Sequence, residues 1–194
     1  MRRAQSLLVL SAVLLLAVPR AAQPPYAAVS DELRAMADED QRMRQAGDTD
    51  PQAEYDADKR HRLRVLELLA EGRIVLPEDK VRAALLLQHT SAVFCDGELK
   101  SESLENYLLA HFLARSAALA GHRPARRMAA LTLDRYLVFS GRPQKYGTQY
   151  RFDEKAGKEV LLEIDPATTD AERAEWDVEP LAVLRGDAKA GTTP

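Results

Sequence analysis

Four polar residues lie where the spacing of apolar residues predicts buried helix faces, and they are the first candidates for chemistry. Gln88 and His89 interrupt a face that otherwise consists of alanine, leucine and valine. Asp134 and Arg135 have mostly alanine, leucine and valine as neighbours one helical turn away. An unsatisfied buried polar group costs about 1–3 kcal/mol, and an unpaired charge costs more. These four side chains therefore require partners, which are either other protein groups or a ligand.

The segment after Arg135 contains groups that can serve as those partners, and we call residues 141–150 the elbow. Gly141 and Pro143 predict the end of a helix, and Gly147 predicts a residue with positive φ that turns the chain back toward the helices. Amide, phenol and hydroxyl groups follow at Gln144, Tyr146, Thr148 and Gln149.

Two interpretations of these polar residues are compatible with the sequence. In the first, Asp134, Arg135 and His89 satisfy one another and form a closed polar clasp with the elbow. In the second, His89 is a general base oriented by Asp134, and Arg135 holds an anion. The other polar side chains would then bind the ligand, namely Gln88, Gln144, Tyr146, Thr148 and Gln149. The choice depends on geometry, which the sequence does not contain.

Helices must position these residues, because apolar residues recur at three- and four-residue spacing through most of the chain. Ser30 and Asp50 are the expected N-caps of the first two helices. Leu63 and Leu66 are expected on the inward face of the second. The fourth and fifth helices form an αα-hairpin that resembles a single tetratricopeptide-like repeat, with no second copy at the 34-residue period. The five helices are predicted over residues 30–46, 51–71, 77–94, 104–120 and 125–139.

The C-terminal part of the chain shows different signals. TQYRF and EVLLEI flank DEKAGK, which predicts a short β-hairpin. Thr169 and Glu172 fit a capping box at the start of a short final helix. The fold is therefore predicted to be mainly α. We expect an orthogonal, αα-hairpin bundle of about five helices over residues 30–185, with a small C-terminal hairpin, a short final helix and a flexible tail at 186–194.

The N-terminus has the features of a secretory signal peptide. Arg2 and Arg3 precede the apolar run SLLVLSAVLLLAV at 6–18, which is too short to span a bilayer comfortably. Small residues and prolines follow. We expect a signal peptide at 1–22, with cleavage as late as residue 28, and a periplasmic or secreted protein with no stable membrane span after cleavage. A retained membrane anchor is the alternative.

Charge and motif content exclude several classes of function. The formal net charge is −3, and loss of residues 1–22 removes three arginines and no acidic residue. No basic stripe remains, so nucleic acid is not an expected partner. Cys95 is the only cysteine and is expected to be a small buried side chain. His61 and His122 are expected on the surface. The four histidines lack metal-ligand spacing and no cofactor motif occurs, so neither a metal site nor a cofactor is expected.

Four segments of the chain together resemble an uncharacterised bacterial family, a domain of unknown function. They are DEDQRMR (38–44), LLLQH (85–89), LDRYLVFSGRPQKYGTQY (133–150) and DPATTDAERAEWDVEPL (165–181). The hallmarks are a Q-H pair, a D-R pair and a Q-x-Y-G-T-Q segment, and the resemblance covers about residues 30–185. It implies a mostly helical fold with a common polar centre, and it adds Asp40 and Gln41 to the candidate ligand-binding residues.

The same resemblance implies no particular activity. Family members often have Ala-Asp after the Q-H pair, whereas this chain has Thr90-Ser91. A role that needs a carboxylate at this point is therefore not expected. Taken together, the sequence predicts an exported binding or protein-interaction module whose partner is an unknown protein or a small ligand. The alternative is a hydrolase-like enzyme with His89 as general base.

Overall fold

The computed structural model of the protein describes residues 26–90, 92–95, 98–155 and 157–186, and residues 92–95 and 98–99 by their backbone alone. In these ranges the chain forms seven helices and two antiparallel hairpins. The helices are α1 (Tyr26–Ala46), α2 (Pro51–Ala70), α3 (Pro77–Gln88), α4 (Leu104–Leu119), α5 (Ala125–Phe139), α6 (Asp170–Glu175) and α7 (Leu181–Leu184). The strands are β1 (Ala92–Cys95), β2 (Glu98–Ser101), β3 (Tyr150–Asp153) and β4 (Lys158–Leu161).

Some expectations concern parts of the chain outside this description. The predicted signal peptide lies outside the described residues, as does nearly all of the predicted tail. The expected burial of Cys95 concerns a side chain that is also outside them. No helix in the described part of the chain has both the length and the apolar character needed to cross a bilayer.

The prediction of a mainly helical fold is confirmed. Helix α3 packs against α1, α2, α4 and α5, and it therefore occupies the centre of the bundle. Helices α4 and α5 pack closely along their length because buried alanines leave little side-chain volume between them, as at Ala110, Ala114 and Ala129. Leucines and valines from α1, α2 and α3 complete the main core. This bundle is the rigid support for the polar residues at the end of α3 and along α5.

Two of the three N-caps named from the sequence are confirmed. Asp50 caps α2, and its carboxylate accepts a hydrogen bond from the backbone N–H of Gln52 at 3.2 Å. Thr169 and Glu172 form the predicted capping box at α6. Ser30 is not an N-cap, because α1 begins four residues earlier, and its hydroxyl instead donates to the Asp79 carboxylate at 2.5 Å.

The predicted third helix is too long. Helix α3 ends at Gln88, and Ala92–Cys95 form strand β1, which pairs with β2. A short apolar run with β-branched and aromatic residues suits either a helix or a strand, so periodicity does not distinguish them. The difference has a consequence for chemistry, because His89 is the C-cap residue of α3 and not part of a helix face.

The inward face of α2 also differs from the prediction. Leu63 is 51% exposed, whereas Val65 and Leu68 are buried. Leu66 is only half-buried at the edge of the core. The buried stripe continues through His61, which is 3% exposed and places Nε2 at 3.0 Å from the Glu39 carboxylate. The expectation that His61 is a surface residue is therefore wrong, since a carboxylate from α1 allows its burial.

The predicted C-terminal hairpin is confirmed as β3 and β4. Helix α7 was not predicted, and it packs against the elbow. A Cβ atom on Gly147 would lie 2.7 Å from Leu184 Cδ1 and 2.9 Å from Ile164 Cδ1, and the residue has φ +97°. The positive φ favours glycine at this position, and any side chain would also have to displace the Leu184 and Ile164 methyl groups.

Candidate functional site

The Asp134 carboxylate lies at the centre of a closed hydrogen-bonded structure in the elbow. It is fully buried, and its Oδ1 accepts from the backbone N–H groups of Lys145 at 2.7 Å and Tyr146 at 2.9 Å. Oδ2 accepts from the N–H groups of Gly147 at 2.9 Å and Thr148 at 3.0 Å, and from the Thr148 hydroxyl at 2.9 Å. Burial raises the pKa of Asp134, and these hydrogen bonds oppose that rise. Five donors occupy both oxygens, so Asp134 has no free acceptor for a ligand.

Gln144 closes the other end of the elbow, and with Asp134 and residues 145–149 it forms what we call the clasp. Its side-chain Nε2 donates to the Gln149 carbonyl at 2.9 Å and to the Leu162 carbonyl at 3.0 Å. Its Oε1 accepts from the Gln149 N–H at 2.8 Å. Gln144 is itself completely buried. The clasp is therefore a closed structural unit.

Tyr146 belongs to the clasp and not to a ligand site. Its ring is buried and lies 6.3 Å from the Trp176 ring between centroids. Burial raises its pKa to about 12. The buried Arg173 of α6 donates from Nε to the Tyr146 carbonyl at 3.0 Å. Arg173 thus fixes the elbow from outside, and no pattern in the sequence distinguished it from an ordinary surface arginine.

An open cavity of about 530 Å³ lies beside the clasp, and we call it the His89 cavity. Helices α2, α4 and α5, the end of α3 and the residues at the end of the elbow contribute to its wall. The polar and aromatic side chains that matter most for its chemistry are Asp58, Gln88, His89, Tyr107, Arg135 and Gln149.

His89 is oriented by Asp40 and not by Asp134. The His89 Nδ1 atom lies 2.7 Å from Oδ1 of Asp40, a fully buried carboxylate on α1. Arg44 Nε also lies 3.0 Å from this nitrogen, but only a protonated Nδ1 can approach a carboxylate oxygen so closely. The proton therefore sits on Nδ1, and Nε2 has no hydrogen-bond partner among the described residues. This arrangement corrects the expected pairing of His89 with Asp134.

The environment of Asp40 keeps it ionised. Burial alone would raise its pKa, but hydrogen bonds from His89 and from Gln41 at 2.8 Å, together with the charge of Arg44, hold the pKa below the ordinary value of 3.8. Asp40 and Gln41 were expected to bind a ligand directly. Asp40 instead lies behind His89, where it fixes the ring and its tautomer, and Gln41 donates a hydrogen bond to Asp40.

Arg44 links the carboxylates around the cavity. Its guanidinium contacts Asp40 at 3.2 Å, Asp58 at 2.7 Å and the Glu54 carboxylate. Burial nevertheless raises the pKa of Asp58. Sequence reasoning missed Arg44, which contacts both Asp40 and His89, and the two further carboxylates that Arg44 contacts, Glu54 and Asp58. The available signals were the four-residue spacing of Asp40 and Arg44 on one helix, and the position of Asp58 beside the buried stripe of α2.

Arg135 is a cation in the wall of the cavity without an acidic partner. Its Nη1 donates to the Gln88 carbonyl at 2.9 Å, and its Nε donates to Oε1 of Gln149 at 3.3 Å. No carboxylate among the described residues forms an ion pair with it. Burial lowers the pKa of Arg135, and the nearby positive charge of Arg44 acts in the same direction. Of the five N–H donors of the Arg135 guanidinium, two are used by groups in the described part of the chain.

The predicted site residues thus belong to two neighbouring structures. Asp134, Gln144, Tyr146 and Thr148 form the clasp, whereas Gln88, His89 and Arg135 line the cavity. Gln149 joins the two, because its backbone bonds Gln144 and its side chain bonds Arg135. Asp134 and Arg135 are adjacent in sequence but project about 100° apart around the helix, so they serve different structures.

Other parts of the described structure are less suited to chemistry. A second cavity of about 450 Å³ lies between β4 and α7, and its charged residues are exposed. No three histidine, cysteine, aspartate or glutamate side chains within the described ranges converge as metal ligands. Comparisons of the chain with protein-family models, with curated proteins and with solved structures found no match. The function is therefore inferred from the geometry of the His89 cavity.

Proposed function

We propose that this protein is an exported binding protein that holds a small anionic ligand in the His89 cavity. The observation that carries the proposal is the Arg135 guanidinium, which lines an open cavity and has no carboxylate partner among the described residues. The residues at 1–22 support export, and the Q-H, D-R and Q-x-Y-G-T-Q motifs support membership of the family described above.

An anion bound at this position would neutralise the positive charge of Arg135. Removing a cation from water without a counter-ion is costly, and charge-assisted hydrogen bonds to an anion are stronger than those to neutral groups. The other three N–H donors of Arg135 have no partner among the described residues. Two N–H groups on one side of a guanidinium can bind a carboxylate or phosphate in a bidentate manner. A small ligand is favoured over a protein partner because the guanidinium lies inside a cavity and not on a protruding surface.

The binding proposal is tested by replacing Arg135 with methionine, which keeps most of the aliphatic volume. Isothermal titration calorimetry with acetate, phosphate, sulfate and glucuronate should show binding of at least one anion to the natural protein. Truncating one partner of a buried, hydrogen-bonded charge pair costs about 2–5 kcal/mol, so affinity should fall by roughly 30-fold or more.

Arg126→Met is the matched control for this experiment. Arg126 is on the same helix, is exposed and makes no side-chain hydrogen bond or ion pair among the described residues. Its replacement should leave affinity unchanged. Equal losses in the two variants, or no binding of any of the four anions, would contradict the proposal.

A second candidate function is hydrolysis with His89 as general base. The observation that favours it is the 2.7 Å contact between His89 Nδ1 and the buried Asp40 carboxylate. A carboxylate in this position fixes the tautomer that leaves Nε2 unprotonated and able to accept a proton from water. Arg135 would hold an anionic group of the substrate in the same cavity.

The hydrolase candidate predicts measurable turnover of p-nitrophenyl esters or phosphate esters. His89→Gln should abolish the rate above background, and Asp40→Asn should reduce it about 100-fold or more and shift the acidic limb of the pH–rate profile. Asp38→Asn is the control, because Asp38 is an exposed residue on the same helix whose side chain makes no ion pair among the described residues. Turnover that persists in His89→Gln would refute the assignment.

A further inference from the structure

We infer that the ligand of the His89 cavity is an acid that also carries hydrogen-bond donors, as a hydroxy acid or an amino acid does. The inference rests on the proposed binding function, since it names the chemical class of that ligand. Its basis is a set of unpartnered acceptors in the same cavity as the free donors of Arg135.

The first of these acceptors is the side-chain amide of Gln88. The residue is only 5% exposed and lines the cavity, and its Oε1 is buried without a hydrogen-bond partner among the described residues. The amide nitrogen makes no hydrogen bond with the described residues either. A buried unsatisfied amide costs about 1–3 kcal/mol, which a ligand donor would recover. Such a group in a native protein points to a missing partner.

Two carboxylates supply further acceptors. Glu54 and Asp58 each use one oxygen to contact Arg44, through Oε1 and Oδ1 respectively. Their second oxygens, Oε2 and Oδ2, make no hydrogen bond with any described residue, and both side chains line the cavity. A carboxylate can only accept hydrogen bonds while it is ionised. A bare anion bound at Arg135 would face these oxygens without any group to satisfy them.

The cavity therefore has two chemically different sides. Arg135 on α5 presents donors and positive charge, whereas Gln88, Glu54 and Asp58 on α3 and α2 present acceptors. A ligand that combines an acidic group with hydroxyl or ammonium groups satisfies both sides, and a simple carboxylate satisfies only one. Complementary polarity of this kind contributes to specificity as well as affinity.

Aromatic rings in the same wall indicate a ligand with a carbon skeleton. Phe139 is half-buried in the wall and packs against Tyr107, whose ring is 1% exposed behind it, with the ring centroids 5.4 Å apart. Tyr107 is held in place by its hydroxyl, which donates to the Thr90 carbonyl at 3.1 Å. The cavity volume of about 530 Å³ is in the range of small-molecule sites. An inorganic anion would leave most of this volume and the aromatic surface unused.

Three probes of similar size distinguish the requirement for an acidic group from the requirement for hydrogen-bond donors. Each is titrated into the natural protein by calorimetry. Cyclohexanecarboxylate has the acid alone, glucuronate adds hydroxyl groups, and 4-aminocyclohexanecarboxylate adds an ammonium group. At least one of the two donor-bearing probes should bind 10-fold or more tightly than cyclohexanecarboxylate. The preferred probe distinguishes a hydroxy acid from an amino acid.

Two variants connect that preference to named residues. Gln88→Met, which keeps the side-chain volume, should reduce the preference about 10-fold and leave the affinity for cyclohexanecarboxylate unchanged. Glu54→Gln should weaken the ammonium-bearing probe selectively, and because Glu54 is partly exposed it serves as the test if Gln88→Met does not fold. Gln45→Met is the control, since Gln45 is exposed on α1 and does not line the cavity.

The outcomes separate this inference from the function on which it rests. Equal affinities for all three probes, with each still lost in Arg135→Met, would overturn the donor requirement and leave anion binding intact. A preference that neither Gln88→Met nor Glu54→Gln alters would also overturn it. Absence of binding by all three probes and by the inorganic anions would overturn both the inference and the proposed function.

Discussion

Replacement of Asp134 by alanine is expected to lower the free energy of unfolding by about 3–5 kcal/mol. The substitution removes a fully buried carboxylate and leaves four backbone N–H groups and the Thr148 hydroxyl without an acceptor. Water cannot replace the carboxylate fully, because Tyr146 and Gly147 are buried and Lys145 and Thr148 are half-buried. Urea unfolding monitored by the fluorescence of Trp176, which packs against Tyr146, provides the measurement.

Thr148→Val is the matched control for this prediction. It removes one of the five hydrogen bonds to Asp134 and preserves the four from the backbone. The hydroxyl also accepts a hydrogen bond from Gln149 Nε2 at 3.2 Å. The expected cost is therefore about 1–2 kcal/mol, because one hydrogen bond contributes about 1 kcal/mol. If Asp134→Ala and Thr148→Val were equally destabilising, the backbone hydrogen bonds would not be the main stabilising contacts of the clasp.

Replacement of Arg44 by methionine is expected to destabilise the protein by about 2–4 kcal/mol at pH 7. Arg44 contacts Asp40 and Asp58, which are both buried, and their charges would then lack a cation. Without Arg44, the pKa of each carboxyl group in the folded protein should rise. A carboxyl group whose pKa is higher in the folded than in the unfolded protein lowers the free energy of unfolding while it is ionised. This destabilisation is present above the folded-state pKa and is lost as the pH falls through that pKa. The difference in the free energy of unfolding between the natural protein and Arg44→Met should therefore become smaller as the pH is lowered toward 4.

A second substitution tests the same contact at constant pH. Adding Asp58→Asn to Arg44→Met removes one of the uncompensated charges and should restore about 1–2 kcal/mol. Arg42→Met is the control, because Arg42 is an exposed arginine on the same helix without an ion pair among the described residues. Urea unfolding at pH 7 and pH 5 is the measurement. The loss of stability in Arg44→Met could instead be independent of pH and unaffected by Asp58→Asn. That result would show that the loss comes mainly from packing and not from charge.

The fold could be predicted well where local signals mark the ends of elements. Asp50 with Pro51 begins α2, and Thr169 with Glu172 begins α6, because capping depends on residues within one helical turn. The β1–β2 hairpin was not predicted. Its apolar residues suit a helix extension as well as a strand, and only pairing with β2 decides between them.

The candidate site could be predicted in some of its residues but not in its pairing, and Arg44, Glu54 and Asp58 were missed. Gln88, His89, Asp134 and Arg135 stood out because polar groups interrupted apolar faces. The partner of His89 is Asp40, 49 residues away, and this contact depends on how α1 packs against α3. No local rule specifies such packing. The separation of Asp134 from Arg135 was accessible in principle, since adjacent residues on a helix cannot project in the same direction.

The closed clasp has a consequence for the thermodynamics of ligand capture. The side chain of Gln149 reaches Arg135, while the backbone of Gln149 is fixed by Gln144. The wall of the cavity is thus preorganised by hydrogen bonds that form when the chain folds. A ligand that enters does not have to order a mobile loop, so its contact free energy is not offset by the conformational entropy of the elbow.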